Sequence, residues 1–151
     1  MTTGKTSRVA LVTGGTRGIG EAICKLLVRQ GYQVVTTFRN ADRKPQALEW
    51  QNRLAAESLE IDLVQMDVAD TQSCEAAANE LLGRYGRLDV LVNNAGITRD
   101  SVMKKMPVEA WKEVIHTNLD SVFNVTRCFL DTLIAQNYGR VINISSINAQ
   151  K

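Results

Sequence analysis

Several features that would place a chain in a particular class are scarce in this sequence. It contains three cysteines, Cys24, Cys74 and Cys128, and an odd number of widely separated cysteines suggests neither a disulfide framework nor a metal site. We therefore interpret them as packing residues. No run of about 18 apolar residues exists to span a membrane, and residues 1–8 lack the apolar stretch of a secretory signal. We expect no membrane partner and a cytoplasmic location.

An excess of charge of one sign is also lacking. Eighteen Lys and Arg residues against sixteen Asp and Glu residues give a formal net charge of +2, which is too small to indicate binding to nucleic acid. Recognition of any anion must therefore be local. The chain has 151 residues, of which 44% are hydrophobic and 23% charged, so it can bury one ordinary core and we expect a single domain, 1–151.

Two hydrophobic periodicities alternate along the chain. Short β-branched runs that predict strands are separated by amphipathic patterns that predict helices. The predicted strands are Val9–Thr13, Gln33–Phe38, Ile61–Met66, Leu88–Asn93 and Arg140–Ser145. This alternation predicts an α/β fold with a Rossmann-like, doubly wound parallel sheet and helices on both faces.

The predicted helices differ in how much of their circumference is apolar. Single apolar faces consist of Ile19, Ile23, Leu26 and Leu27 in the first helix, of Ala47, Trp50 and Leu54 in the second, and of Cys74, Ala77, Ala78, Leu81, Leu82 and Tyr85 in the third. The fourth helix begins at about Pro107, runs to Ile134 and is apolar on most sides in its second half. We expect this helix to pack on two sides at once.

A glycine-rich turn follows the first strand. The segment from Thr13 to Gly20 reads T-G-G-T-R-G-I-G and lies between a strand and a helix, where backbone N–H groups and the helix dipole can bind a pyrophosphate. Its G-x-x-x-G-x-G spacing differs from the usual G-x-G-x-x-G fingerprint. A strand-to-helix turn can need glycine for geometry alone, but the βαβ context favours a dinucleotide site.

A second motif, Asn93–Gly96, follows the fourth strand at the edge where such sheets bind ligands. Together the two motifs resemble the short-chain dehydrogenase/reductase family, and the resemblance extends over essentially the whole chain. Asp67 and Val68 after the third strand, Asn118 in the long helix and Ser146 after the fifth strand also match. The resemblance implies an NADP-binding Rossmann-type domain with strand order 3-2-1-4-5.

The resemblance implies a role for each matching residue. The cofactor's phosphates would contact Gly14, Gly18, Ile19 and Gly20, its adenine Asp67 and Val68, and its adenosine ribose side Asn94, Ala95 and Gly96. Asn93 and Asn118 would support the site, Ser146 would hold the substrate carbonyl, and Gln150 would border the substrate. The family's catalytic tyrosine and lysine do not occur before Lys151. We therefore expect a domain that lacks its C-terminal portion and is inactive by itself.

The charge at the end of the second strand bears on the type of nicotinamide cofactor. Enzymes that prefer NAD usually carry an acidic residue about 20 residues beyond the glycines, whereas here the first carboxylate at or after the second strand is Asp42. Arg39 lies where a guanidinium could bind a 2′-phosphate, and Arg17 is the expected second cation. We predict NADP(H) as the cofactor and interpret Arg43 and Lys44 as solvated surface charge.

The substrate prediction depends on finer likenesses. The stretches Gly96–Asp100, Phe123–Thr126 and Ser145–Lys151 are similar to family members that reduce 3-oxoacyl thioesters. They imply reduction of acetoacetyl-CoA in polyhydroxyalkanoate metabolism, with 3-oxoacyl groups on acyl carrier protein, in fatty acid synthesis, as the alternative. A catalytically inactive dinucleotide-binding module, or a fragment completed by another chain, are further alternatives.

The resemblance also has consequences for assembly. It implies a homo-oligomer, a tetramer for the full-length enzyme, with the long helix at a subunit interface. We expect the fifth strand to form an unprotected sheet edge and the isolated chain to be poorly stable or to associate through that edge. His116, the only histidine, has no companion ligand or nucleophile in the sequence, and we interpret it as structural. Trp50 and Trp111 are interpreted as packing residues.

Overall fold

The computed structural model describes residues 7–146, and this part of the chain forms a five-stranded sheet. The strands are β1 (Val9–Val12), β2 (Gln33–Phe38), β3 (Ile61–Gln65), β4 (Val90–Asn93) and β5 (Arg140–Asn143). Neighbouring strands are all parallel, and their order is β3-β2-β1-β4-β5. The predicted α/β class and strand order are confirmed.

Helices connect the strands on both faces of the sheet. They are α1 (Gly18–Arg29), α2 (Lys44–Ala56), α3 (Thr71–Tyr85), α4 (Val108–Ile115) and α5 (Ser121–Ala135). A π-helical segment, His116–Asp120, joins α4 to α5, and Pro107 occupies the N-cap position of α4. The prediction of one regular helix from Pro107 to Ile134 is therefore wrong in detail, because a wider turn interrupts it. No helix in the described part is long and apolar enough to cross a membrane.

Each face of the sheet has its own hydrophobic core. Alternate residues of β1 point to opposite faces, so Leu11 packs with α3 and α5 while Ala10 packs with α1 and α2. The first core includes Leu81 and Phe129, and the second includes Leu54. All four residues of β1 are buried, as expected for a parallel strand covered on both sides. The predicted apolar faces of α2 and α3 are confirmed.

The predicted apolar face of α1 is partly wrong. Ile23 and Leu27 pack against the core, but Ile19 is 65% exposed and Leu26 is 57% exposed. The fully buried residues of this helix are Gly20 and Cys24. The reason is that α1 lies very close to the glycine-rich turn after β1. Only small residues fit on the side of the helix that faces this turn, and the larger side chains of Ile19 and Leu26 lie at the surface.

Helix α5 has two apolar sides, as predicted. Val125, Phe129 and Leu133 are buried against the sheet, whereas Phe123 and Ile134 are exposed. Strand β5 forms one edge of the described sheet and is exposed along its whole length. On α4, Trp111 is 53% exposed, so its predicted packing role is not seen within this chain, whereas Trp50 is buried as predicted.

Candidate functional site

The turns that follow β1 and β4 form one site because their strands are neighbours in the sheet. Thr13 Oγ1 accepts hydrogen bonds from the N–H groups of Asn94 and Ala95, both at 3.0 Å. In return, Asn94 Nδ2 donates to the carbonyl oxygens of Thr13 at 2.9 Å and Gly14 at 3.2 Å. The two sequence motifs are therefore joined by reciprocal hydrogen bonds at the carboxyl edge of the sheet, where α/β folds bind ligands.

Two threonines of β2 support the glycine-rich turn from the other side. Gly14 N–H donates to Thr37 Oγ1 at 3.0 Å, and Gly15 N–H donates to Thr36 Oγ1 at 2.8 Å. The Thr36 hydroxyl donates in turn to the carbonyl oxygen of Val12 at 2.7 Å. The sequence analysis missed these residues. The available signal was a pair of hydroxyl side chains inside an otherwise apolar buried strand, where each hydroxyl needs a partner.

The glycine-rich turn leaves no room for side chains at its closest contact. A Cβ atom on Gly20 would lie 2.5 Å from Asn94 Nδ2 and 2.7 Å from the Gly14 carbonyl oxygen. Gly14 and Gly18 have φ values of +65° and +56°, which side chains disfavour. The turn leads into the N-terminus of α1, whose first N–H groups have no acceptor within the helix. This donor set and the bare backbone fit a pyrophosphate group.

Arg39 and Asp67 meet at the ends of β2 and β3. Arg39 Nε donates to Asp67 Oδ2 at 2.8 Å, and this hydrogen bond and charge raise the pKa of the guanidinium. The Arg39 side chain is 55% exposed, so it can reach a ligand. Arg17, the other predicted cation, is exposed and immediately precedes α1. The predicted site residues therefore surround the same edge of the sheet.

Val68 lies below this edge, in the core. Its side chain is buried, and its carbonyl oxygen accepts a hydrogen bond of 3.2 Å from Asn124 Nδ2 on α5. Asn124 is itself buried, and its hydrogen bond links the segment after β3 to α5, which covers this face of the sheet. Sequence analysis assigned Asn124 no such role.

Asn118 holds the turn after β4 from the helical side. Its Nδ2 donates to the Ile97 carbonyl oxygen and its Oδ1 accepts from the Ile97 N–H, both at 2.9 Å. The π-helical segment that carries Asn118 is also bridged by His116 Nδ1 and Asp120 Oδ2 at 2.6 Å. Arg99 adds a bidentate ion pair to Glu113, with hydrogen bonds of 2.9 and 2.8 Å. Asn118 thus fixes the backbone of Ile97 in the turn after β4.

Strand β5 carries the last predicted catalytic residue to the same edge. The Ile144 N–H donates to the Asn93 carbonyl oxygen at 2.9 Å and continues the ladder beyond the strand. Asn93 Nδ2 donates to Asn143 Oδ1 at 2.9 Å and to Thr126 Oγ1 at 3.1 Å, so Asn93 links β4 to β5 and α5. Ser146 follows as an exposed residue. The predicted substrate residue Gln150 lies outside the described residues.

Two ionisable side chains of the hydrophobic cores are poorly suited to proton transfer. Burial raises the pKa of the Cys24 thiol to about 12, which leaves it as an uncharged packing residue behind the glycine-rich turn. Burial, together with a hydrogen bond to Asp62, also raises the pKa of Tyr85 to about 12. Between residues 7 and 146 no three His, Cys, Asp or Glu side chains are grouped so that they could hold a metal ion.

Comparison with known proteins shows similarity along nearly the whole chain. Residues 8–151 match the family model of short chain dehydrogenase. The acetoacetyl-CoA reductase of Rhizobium meliloti strain 1021 is 44% identical over 145 residues, which are 96% of this chain and 57% of that protein. The enzyme of the same name from Cupriavidus necator is 44% identical over 147 residues, covering 97% of this chain and 58% of that protein.

A second group of relatives carries another substrate in its name. The 3-oxoacyl-acyl-carrier-protein reductase of Staphylococcus aureus strain Mu50 is 38% identical over 143 residues, which are 95% of this chain and 57% of that protein. The chain thus spans little more than half the length of the curated relatives it matches.

Solved structures share the architecture. A variant of actinorhodin polyketide ketoreductase, solved with NADPH, superimposes with a TM-score of 0.87 at 35% identity, over 96% of this chain and 55% of that one. A metagenomic short-chain oxidoreductase in complex with NADP gives a TM-score of 0.84 at 33% identity, over 97% of this chain and 66% of that one.

Proposed function

The chain belongs to the short-chain dehydrogenase family, and on that premise we propose that it binds NADP(H) for the reduction of a 3-oxoacyl thioester, acetoacetyl-CoA, to the 3-hydroxyacyl thioester. The observation that carries the proposal is the pair of hydrogen bonds between Thr13 and Asn94, which link the ends of β1 and β4. They hold the glycine-rich turn and its backbone N–H groups beside the N-terminus of α1. The 44% identity to acetoacetyl-CoA reductase, against 38% to the acyl-carrier-protein enzyme, favours the CoA substrate.

The bound cofactor would supply the hydride, and the residues of this chain would bind and orient it. The glycine-rich turn and the first N–H groups of α1 would bind the pyrophosphate, whose negative charge the helix dipole favours. Asp67 would contact the adenine. Arg39 and Arg17 would bind the 2′-phosphate through charge-assisted hydrogen bonds.

Ser146 and Asn118 are the proposed catalytic residues of this chain. The Ser146 hydroxyl would donate a hydrogen bond to the substrate carbonyl oxygen, where negative charge develops during reduction. Asn118 holds Ile97 through two hydrogen bonds and thereby fixes the turn that contains Gly96. If this turn were mobile, a smaller fraction of the enzyme–substrate complexes would have a reactive geometry.

Cofactor binding tests the first half of the proposal. We expect the fluorescence titration of the protein to give tighter binding of NADPH than of NADH. Arg39→Ala should weaken NADPH binding by about 10-fold or more, because hydrogen bonds to charged groups contribute about 1.5–3 kcal/mol, and should leave NADH binding nearly unchanged. Arg43→Ala removes a nearby surface charge and serves as the matched control. Equal binding of both cofactors by the unaltered protein would contradict the proposal.

Substrate choice tests the second half. In the full-length enzyme that the family resemblance implies, NADPH oxidation should be faster with acetoacetyl-CoA than with acetoacetyl-acyl carrier protein at equal concentration. The opposite preference would support the acyl-carrier-protein alternative, for which the 38% identity to that reductase is the specific observation. NADPH binding by the full-length protein without turnover of either substrate would instead support an inactive dinucleotide-binding module.

We further propose that the protein acts as a cytoplasmic homotetramer. The exposed apolar side of α5, which includes Phe123, Leu130 and Ile134, supports a subunit interface on this helix because monomers rarely expose large contiguous apolar patches. Light scattering on the purified protein tests this proposal, and a molar mass of one chain at micromolar concentration would contradict it.

A further inference from the structure

The Asp67 carboxylate is held in place by its own surroundings. Its Oδ1 accepts a hydrogen bond of 3.1 Å from the Ala69 N–H, and its backbone N–H donates to Ser73 Oγ at 2.9 Å. Its other oxygen, Oδ2, accepts from Arg39 Nε at 2.8 Å. The Asp67 carboxylate is therefore a fixed hydrogen-bond acceptor for the Nε–H group of the flexible Arg39 side chain.

Arg39 uses only part of its hydrogen-bonding capacity in this contact. A guanidinium carries five N–H donors in a planar fork, and the described contact with Asp67 engages Nε alone. Within residues 7–146 its terminal nitrogens have no hydrogen-bond acceptor. Because Nε–H and the terminal N–H groups point in different directions within one plane, the contact at Nε leaves the terminal nitrogens available to a ligand.

We propose that Asp67 is a positioning residue for Arg39: it holds Nε so that the terminal NH edge faces the 2′-phosphate, and thereby contributes to selection of the phosphorylated cofactor. This inference rests on the proposed NADP(H) function. A carboxylate next to a phosphate would ordinarily repel it, but here the guanidinium lies between the two anions. The benefit is preorganisation, because more than half of the Arg39 side chain is exposed and it would otherwise sample many rotamers before the ligand bound.

Two adenine nucleotides separate this role from the general contribution of Asp67 to binding. Isothermal titration calorimetry with 2′,5′-ADP and 5′-AMP gives a ratio of dissociation constants that reports the 2′-phosphate alone, since any contact with the adenine ring affects both ligands. We expect the unaltered protein to prefer 2′,5′-ADP. Asp67→Ala should reduce this preference by roughly fivefold, since the arginine must then be ordered by the ligand.

Two variants make the test specific. Asp67→Asn retains an oxygen that can accept from Nε, so it should keep the preference within about twofold of the unaltered protein. Asp42→Ala removes a carboxylate three residues from Arg39 without removing the Nε acceptor, and is the control for net charge. Circular dichroism should show that all three variants are folded.

The possible results distinguish the positioning role of Asp67 from the proposed NADP(H) binding on which it rests. If the unaltered protein prefers 2′,5′-ADP and Asp67→Ala preserves or increases that preference, the positioning role is overturned while NADP(H) binding stands. If the unaltered protein binds both nucleotides equally, both proposals fail.

Nuclear magnetic resonance gives a second readout that a merely structural role would not move. The Arg39 Nε–H signal should be protected from exchange in the unaltered protein, should persist when 2′,5′-ADP binds, and should be lost in Asp67→Ala. Loss of this signal from the unaltered protein on binding of 2′,5′-ADP would mean that the phosphate displaces Asp67, which would overturn the inference.

Discussion

Replacing Gly20 with alanine should disrupt the junction between α1 and the two strand-end turns. The added methyl group would lie 2.5 Å from Asn94 Nδ2, 2.7 Å from the Gly14 carbonyl oxygen and 2.8 Å from Gly15 Cα. Two of these atoms belong to the backbone of the glycine-rich turn, and the third holds that turn to β4 through two hydrogen bonds. Either α1 must move away from the sheet or Asn94 must give up its contacts.

The size of the effect follows from opposing contributions. Alanine in a helix is favoured over glycine by about 1 kcal/mol, whereas forcing a methyl group into a packed site costs about 1–3 kcal/mol. Two lost hydrogen bonds of Asn94 add about 1 kcal/mol each. We therefore expect Gly20→Ala to lower the free energy of unfolding by about 2–4 kcal/mol in urea denaturation. Its dissociation constant for NADPH should rise at least about tenfold, since a displaced backbone no longer fits the pyrophosphate.

Gly83 provides a matched control on another helix. It lies inside α3, is exposed, and an added Cβ would meet nothing within 4 Å. Gly83→Ala should raise the free energy of unfolding by about 0.5–1 kcal/mol through helix propensity alone, with no change in NADPH binding. If Gly20→Ala is as stable as Gly83→Ala and binds NADPH normally, the close contact at Gly20 does not limit the site and the reasoning is refuted.

Three further changes test other parts of the fold. Asp89 is fully buried, and although burial acts to raise its pKa, hydrogen bonds from an arginine side chain and a backbone N–H lower it overall. The stabilising contribution of the ionised Asp89 is therefore complete above about pH 4 and is lost as the pH falls through the lowered folded-state pKa. In urea denaturation at a series of pH values, the free energy of unfolding of Asp89→Asn should fall less in acid than that of the unaltered protein. Asn118→Ala should speed hydrogen exchange of the Ile97 amide at least about tenfold but lower the free energy of unfolding by only about 1 kcal/mol, because the pair is exposed. Leu54→Ala, at a fully buried position, should cost about 2–5 kcal/mol, whereas Leu48→Ala on the exposed side of the same helix should cost less than about 1 kcal/mol in the same denaturation assay.

The sheet and its ligand edge could be predicted because their signals are local. A β-branched run followed by glycines specifies a strand and a turn within about ten residues, and parallel strands place all such turns at one edge. This is why the segments Thr13–Gly20 and Asn93–Gly96 were correctly predicted to meet. The burial of α2 and α3 also followed from periodicity, since each helix packs on one side only.

Contacts between distant strand ends could not be predicted in the same way. Arg39 and Asp67 are 28 residues apart, and each sequence position was assigned to a different part of the cofactor. Only the parallel register of β2 with β3, which pairs Phe38 with Gln65, places the two side chains within hydrogen-bond distance. Likewise, Ile19 fits an apolar stripe in sequence, but the contact of Gly20 with the glycine-rich turn fixes the rotation of α1 and leaves Ile19 exposed.

The π-helical segment explains why the last helical pattern misled the sequence analysis. A 3.6-residue period predicts that Leu119 continues the apolar stripe, yet Leu119 is exposed and the first buried apolar residue of α5 is Val125. A π-helical turn contains an extra residue relative to an α-helical turn, so it shifts the phase of every side chain beyond it. The same shift lets Asn118 reach both backbone groups of Ile97 while α5 still packs on the sheet. Such turns are rare and occur often at functional sites. The irregularity is therefore best understood as the means by which one helical stretch both covers the core and holds the turn after β4.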